Sequence, residues 1–531
     1  MMRWSLVSLV LALAVPVLGY HKPRPLNARY RRQAPTSVKN QTQSPFLNER
    51  STDFAVNGSA IPLVDFDVGE SYAGLLPIGN DTNSQLYFWF FPSTNPAAQE
   101  NKEILIYLTG GPGCSSTGEL LQQNGPLLWQ PGTFQPVQNK WSWHRLTNVV
   151  WVDQPVGTGF SQGTPTATSE EDVAQQFLGF WQNFVDTFAV QGYKVYVTGS
   201  SYGGMYAPFI SSAMLDRNDA RYFDVSGMAI WDGLYSKIPL TEDIPVAAFV
   251  DKFKSVLPFN DTFTAAIKAI DAQCGYTAYL DEYLVFPPRG PQPSTLPGED
   301  PATNLARPEC ALYLAVFLAA TELNPCLNKA FDVTSHCPVL FDPIGTTLPT
   351  AFPTPYFDLP AVKAAINAPA NTTWVFCQNP FTNPVFVNNT DRSLNAGPGS
   401  QPVLPGVIDR TGNVILGHGE RDFLVLPDAT LLTIQNLTWR GVLGFQQRPE
   451  APLLIPAVDN ANVGTAAAGF GVVGSSHAER GLTWFGAAMA GHLVAQDQPA
   501  VAFRMVEVLL GRVEGFESVE PFTVDMGGGD S

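Results

Sequence analysis

Apolar residues recur along this chain with two different periods. Ser84 to Phe91, Glu103 to Leu108, Asn148 to Asp153, Lys194 to Thr198 and Val225 to Trp231 are short runs rich in β-branched and aromatic residues. Such runs, bounded by Gly, Pro, Asn or Asp, predict β-strands. Strand patterning begins near Asp67 and resumes at Gly412 to Gly417 and Leu482 to Ala488. Between strands the period becomes helical. Val173, Phe177, Trp181, Phe184 and Phe188 follow Ser169, a candidate cap with Asp172 three residues on. This aromatic stripe is a face for packing on a sheet. Met205 to Leu215 and Pro499 to Leu510 predict further helices. Strands alternating with helices predict an α/β fold with a mostly parallel central sheet and helices on both faces.

The alternation fails between about residues 239 and 360. Four of the six cysteines lie there, with Pro-rich pieces such as Phe286-Pro287-Pro288-Arg289-Gly290-Pro291. The segment is expected to be an inserted, disulfide-stapled cap over the carboxyl ends of the strands. Residues 50–238 and 361–520 are then the two parts of the core, and 521–531 a polar tail.

The first residues have another pattern. Arg3 precedes an apolar run, Leu6 to Leu18, too short to cross a bilayer. Residues 1–19 are expected to be a signal peptide, cleaved before Tyr20. Residues 20–49, with Arg31-Arg32, read as a pro-segment or a disordered N-terminus. Export agrees with the sequons at Asn40, Asn57, Asn80, Asn260, Asn371, Asn388 and Asn436. It also agrees with an even cysteine count and no Cys-x-x-Cys, which favours structural disulfides over a zinc site. The expected location is the secretory pathway, ending outside the cell or in an acidic, lysosome-like organelle. A net charge of −17 disfavours nucleic acid as a partner, and no membrane anchor is expected. With 45% hydrophobic and 15% charged residues, the chain can build a large core.

Candidate chemistry centres on Gly199-Ser200-Ser201-Tyr202-Gly203. Strand before and helix after make it the sharp turn that lifts a serine hydroxyl above a sheet. Ser201 is the candidate nucleophile of an α/β-hydrolase. Its base should come late in the chain, after an acid. Of six histidines, His21, His144 and His336 lie in the pro-segment, before Ser201 and in the cap. His418 reads as a satisfied turn histidine and His477 as a loop residue. His492, between the last strand and the last helix, is the candidate base. Asp422 follows a strand closely, which leaves a catalytic acid and a surface aspartate both open. Acyl transfer also needs backbone N–H donors for an oxyanion. The amide of Tyr202 is one candidate, and Gly111 in Gly110-Gly111-Pro112-Gly113 is the other.

At this point the chain resembles the secreted serine carboxypeptidases, from about Ser71 to Arg512. The likeness rests on Gly110 to Ser116, on Asp153-Gln154-Pro155-Val156-Gly157-Thr158-Gly159-Phe160-Ser161, on Gly199 to Gly204 and on Ala490-Gly491-His492. The resemblance implies a Ser201, Asp422, His492 triad, an oxyanion hole from Gly111 and Tyr202, and no metal or other cofactor. It implies a Cys114–Cys377 disulfide, the other four cysteines pairing inside the cap. It implies release of C-terminal residues from peptides at acid pH. An acyltransferase or esterase of the same type is the alternative, with a binding protein of residual catalysis behind it.

Three positions depart from the family. Thr109 stands for its asparagine, and Ser200 and Gln123 for two glutamates that hold the peptide's terminal carboxylate. Thr109, Gly110, Gln123 and Ser200 are the candidate substrate site, lined by neutral donors. The expectation is weak discrimination of a free C-terminus from its amide or ester, and a KM nearly independent of pH.

Overall fold

Eleven strands form the central sheet of the computed structural model. The structure describes residues 44–80, 82–324, 327, 332–334, 342–345, 354–379, 384–395, 398–457 and 469–526. Every element named below lies in the unit Pro45–Ser531. The strands are β1 (Ala55–Val56), β2 (Ser71–Pro77), β3 (Gln85–Phe91), β4 (Glu103–Leu108), β5 (Asn148–Asp153), β6 (Lys194–Ser200), β7 (Asp224–Trp231), β8 (Val414–Gly419), β9 (Ala451–Ile455), β10 (Gly471–Glu479) and β11 (Leu482–Ala487). Across the sheet they run β1-β2-β3-β5-β4-β6-β7-β8-β11-β10-β9. Strands from β5 to β11 in this order are parallel. Antiparallel strands flank them on both sides.

The helices used below are α1 (Glu170–Phe188), α2 (Gly203–Asp216), α3 (Val246–Lys252), α4 (Asp261–Cys274), α5 (Tyr276–Tyr283), α6 (Leu312–Leu323), α7 (Pro427–Asn436) and α8 (Pro499–Leu509). Because side chains alternate across a strand, β4 divides its apolar residues between two cores. Ile104, Ile106 and Leu108 join α1 and α2 on one face. Leu105 and Tyr107 join α8 on the other. The aromatic stripe of α1 packs on the sheet as expected, with the Phe184 ring 5.3 Å from Phe90 and 5.5 Å from Phe88. Ser169 occupies the cap position, but its side chain makes no capping bond. Asp172 accepts instead from the amide and hydroxyl of Thr168, at 2.9 and 2.7 Å. The local turn thus closes one residue earlier than a capping box would.

Between residues 239 and 360, α3 to α6 gather an apolar cluster that includes Phe249, Ile267, Leu312 and Val316. Phe423 and Leu426, from the loop after β8, complete it, so the insert rests on the segment carrying Asp422. A Cys274–Cys310 disulfide lies inside it. Cys326, Cys337, Asn40, the signal peptide, residues 20–43 and the end of the tail lie outside the described residues. Asn57, Asn80, Asn260, Asn371 and Asn388 are exposed. Asn436 differs: it is half-buried, its Oδ1 accepts from Gln292 N at 2.8 Å and its Nδ2 donates to Gln401 at 2.9 Å. Glycosylation there would replace one hydrogen of the Nδ2 that donates to Gln401.

Burial raises several carboxyls, with consequences for stability. It lifts Asp153, Asp243 and Asp497 to about 6 and Glu242 to about 8. Such groups bind more protons folded than unfolded. Their contribution is full below the unfolded carboxyl range of about 4 and is lost as pH rises through the folded values. His144 works oppositely: burial lowers it to about 4, so it costs stability below about 6.5. The carboxyls outnumber it. The melting temperature is therefore expected to fall between pH 5 and pH 8, by roughly 5 °C or more. A scanning-calorimetry series showing a flat or rising trend over that range would contradict this account.

Candidate active site

The candidate residues lie at, or in loops that follow, the carboxyl ends of β4, β6, β8 and β11. The chain leaves β4, forms β5 on one side of it and returns to form β6 on the other. Reversals of this kind open a crevice at the strand ends.

Ser201 stands in the turn between β6 and α2 with φ +57°. This left-handed conformation is uncommon for a residue with a Cβ. The amide of Ser201 donates to Trp231 O at 3.1 Å, and its carbonyl accepts from Leu234 N at 2.9 Å. Glycines make room for the turn: a Cβ at Gly204 would lie 2.4 Å from Leu234 O. Ser200 and Tyr202 are buried, whereas Ser201 is only half-buried.

The loop after β4 lies against this turn. A side chain at Gly110 would reach within 2.4 Å of Tyr202 N. Neither Gly111 N–H nor Tyr202 N–H has an acceptor among the described residues. Two donors therefore stand open beside Ser201, one on the exposed Gly111 and one on the buried Tyr202. Cys114 is bonded to Cys377, and parallel main-chain bonds reinforce the tether. Ser115 N donates to Phe376 O at 2.7 Å and Gln378 N to Gly113 O at 3.0 Å. Asp153 at the end of β5 holds the next turn, accepting from Ser115 Oγ at 2.7 Å, Thr117 N at 3.1 Å and Phe160 N at 3.0 Å. A Cβ at Gly159 would lie 2.1 Å from Asp153 Oδ2, so only glycine fits there.

Asp422 and His492 come together from two strand ends. Asp422 Oδ2 accepts from His492 Nδ1 at 2.7 Å, both groups being buried. The two loops are cross-linked: Glu420 N donates to Ala487 O and Arg421 N to Ala490 O, each at 2.9 Å. Gly419 lets them approach, since a Cβ there would meet Gly491 O at 2.0 Å. Asp497 accepts from Gly491 N at 2.8 Å and steadies the loop from the far side. Asp422 is thus no surface aspartate.

Two histidines lie elsewhere than the sequence suggested. His477 sits in β10 opposite Trp484, beside Glu479. His418 is a fully buried residue of β8, not a turn residue. Its Nε2 faces two acceptors, Asp422 Oδ2 at 3.1 Å and Val425 O at 2.7 Å, so that nitrogen carries the proton. Asp422 Oδ1 accepts from Leu424 N at 2.8 Å and Val425 N at 3.1 Å. Burial alone would raise the Asp422 carboxyl, but the imidazoles facing it outweigh burial and hold it low. Burial likewise opposes a charge on His418, and Asp422 and Asp232 outweigh it.

Thr109, Gln123 and Ser200 are buried; Ser200 adjoins Ser201 in the elbow, and Thr109 adjoins Gly110, which packs on it. They do not stand alone. Glu119, at the end of the helical turn Ser116–Glu119, accepts from Ser200 Oγ at 3.1 Å and from the Tyr107 hydroxyl. A site of neutral donors only is therefore corrected to one containing a buried carboxyl. Burial pushes that carboxyl above its ordinary range. Sequence reasoning missed it, because nothing local marks its side chain as reaching Ser200.

The Peptidase_S10 serine carboxypeptidase profile matches residues 62–252 and 328–512. The match passes over 253–327, where α4, α5, α6 and the Cys274–Cys310 bridge lie. The chain is 44% identical over 498 residues to a probable serine carboxypeptidase of Arthroderma benhamiae, covering 90% of each. It is 42% identical over 489 residues to serine-type carboxypeptidase F of Aspergillus niger, covering 88% of each. Among solved structures it is similar to the prohormone-processing carboxypeptidase Kex1(Δ)p of Saccharomyces cerevisiae, with a TM-score of 0.66 and 21% identity. That likeness spans 87% of this chain and 96% of the other, and shows the shared α/β-hydrolase fold. With the profile and these relatives extending over most of its length, the chain belongs to the serine carboxypeptidase family and is a serine-type carboxypeptidase.

Proposed function

We propose that the enzyme releases C-terminal residues from peptides through Ser201, His492 and Asp422. Ser201 Oγ attacks the scissile carbonyl while His492 Nε2 takes its proton. The oxyanion that forms is received by the N–H groups of Gly111 and Tyr202. His492 then gives the proton to the leaving amine, the C–N bond breaks, and water hydrolyses the acyl-Ser201. Asp422 holds His492 in the tautomer with its proton on Nδ1. The observation that carries this reading is the buried 2.7 Å bond between Asp422 Oδ2 and His492 Nδ1. It puts the ring proton on Nδ1, which supports Nε2 as the base.

The two described disulfides fit an oxidising compartment, as expected of an exported enzyme. Among the described residues no helix is long and apolar enough to cross a membrane.

The test combines labelling with product analysis. A fluorophosphonate should label one peptide, containing Ser201, and a blocked dipeptide should yield its free C-terminal amino acid. Label on another serine would refute the assignment. Transfer to an added alcohol in preference to water would make the enzyme an acyltransferase.

A further inference from the structure

A carboxylate that orients a catalytic base has to hold its own plane. Asp422 is pinned at Oδ1 by the N–H groups of Leu424 and Val425, at 2.8 and 3.1 Å. Bonds to one oxygen leave the group able to swing on its Cβ–Cγ bond, whose torsion is soft. His492 is a poor second anchor, because its ring takes on and gives up a proton in each turnover. A further donor on Oδ2 would fix the plane.

His418 occupies that position. Its Nε2 lies 3.1 Å from Asp422 Oδ2 and 2.7 Å from Val425 O. Its Nδ1 lies 2.8 Å from Thr430 Oγ1, in α7. Both partners of Nε2 only accept, so Nε2 keeps its proton whether the ring is neutral or charged. Asp232, just after β7, stands on the other side of the imidazole. Its Oδ1 is 3.6 Å from His418 Nε2 and accepts from Gly419 N at 2.6 Å. Asp232 adopts φ +53°, a left-handed conformation uncommon for a residue with a Cβ. His418, Asp422, Asp232 and Thr430 are all fully buried.

Packing alone gives no reason for an imidazole here. β8 is an interior strand, and Val414, Ile415 and Leu416 before it are buried apolar side chains. A polar group in such a place is costly unless its bonds repay it. Departures from local packing logic tend to fall at functional sites. One of the bonds that His418 makes is to the acid of the catalytic unit.

We infer that His418 is a positioning residue: its Nε2–H holds the Asp422 carboxylate in the plane that presents Oδ2 to His492 Nδ1. Thr430 steadies the ring at its other nitrogen, and Asp232 fixes the main chain one residue on, at Gly419. The inference rests on the catalytic reading above and extends it to a residue that acts through Asp422 and not on the substrate.

The experiment is a double-mutant cycle, read as kcat and KM for an activated ester at one pH, with near-ultraviolet circular dichroism to verify folding. His418→Asn keeps a polar group toward Thr430 but is too short to reach Asp422. It should lower kcat by about 10- to 100-fold, the loss of one hydrogen bond to a charged group, with little change in KM. His418→Gln can set its NH₂ where Nε2 stands and should recover most of that loss. In an Asp422→Ala background, His418→Asn should cost less than about twofold, because a residue that acts through Asp422 then has nothing to act on. A merely structural His418 would cost the same factor in both backgrounds, and that result would overturn the inference. So would a folded His418→Gln protein as slow as His418→Asn. If His418→Asn does not fold, Thr430→Val supplies the cycle, with a loss of about 2- to 10-fold in kcat that vanishes when Asp422 is alanine; an equal loss in both backgrounds would overturn the inference there too. The same set separates the two readings. Near-normal turnover in Asp422→Ala removes the catalytic reading and this one with it, whereas a slow Asp422→Ala with equal costs in both backgrounds removes only the role of His418.

Discussion

Replacing Ser201 or His492 by alanine is expected to lower kcat by about 10⁶ while leaving the fold intact. Groups that act as one unit lose nearly everything when either is removed. Ser201→Ala keeps the backbone bonds to Trp231 and Leu234 that hold the turn, and alanine meets the same left-handed φ as serine. His492→Ala leaves Asp422 still accepting from His418, Leu424 and Val425. The proper control is His477→Ala. That histidine lies in β10 beside Glu479, and kcat should stay within about twofold, as for substitutions away from the chemistry. Turnover of an activated ester, with near-ultraviolet circular dichroism as the measure of folding, decides the matter. Near-normal turnover in a folded His492→Ala protein would show that another group is the base.

The second large effect is at Asp422. Asp422→Asn should cut kcat by about 10⁴, the order expected when the base is left in the wrong tautomer. The site makes this substitution unusually hostile. One carboxylate oxygen accepts from two main-chain N–H groups and the other from two imidazoles. An amide turned either way sets its NH₂ against two N–H donors. If the imidazoles yield, His492 loses its proton on Nδ1. If the main chain yields, buried donors lose their partner at about 1–3 kcal/mol. Rate and melting temperature should therefore fall together. A loss of less than tenfold would remove Asp422 from the catalytic unit.

The legible parts of this protein were those fixed by local pattern. The parallel strands are buried on both faces, so they read as continuous apolar runs, and β4 and β5 matched to the residue. The edge strand β9 and its neighbour β10 went unread because Pro452, Gly471 and Gly474 interrupt any alternation. His418 was misplaced because β8 continues as Gly417-His418-Gly419 beyond its apolar run, looking like a turn while pairing with β11. The serine elbow and His492 could be singled out because chain order and a short histidine inventory constrain them. Glu119 was not, because its meaning is spatial. Nothing local in Ser116-Thr117-Gly118-Glu119 says that its last side chain ends under Ser200. Asp232 likewise gave no sign in sequence, yet it accepts from Gly419 N at 2.6 Å and packs beside His418.

The Cys114–Cys377 bridge spans 263 residues of sequence, and Ser201 lies inside that span while Asp422 and His492 lie beyond it. Proteolytic nicking at any point between residues 115 and 376 would therefore sever the polypeptide without releasing a fragment. The Pro-rich stretch near Arg289 and Gly290 offers such a point. A protease that cuts there leaves two chains joined through sulfur, with Ser201 on one side of the cut and its base on the other. The oxyanion loop stays tied to residues 376–378 as before. Reduction of this bridge and of Cys274–Cys310, which spans the same point, would then do what cleavage could not and remove both covalent links between the two halves. The chain is in this way tolerant of a single cut across half its length.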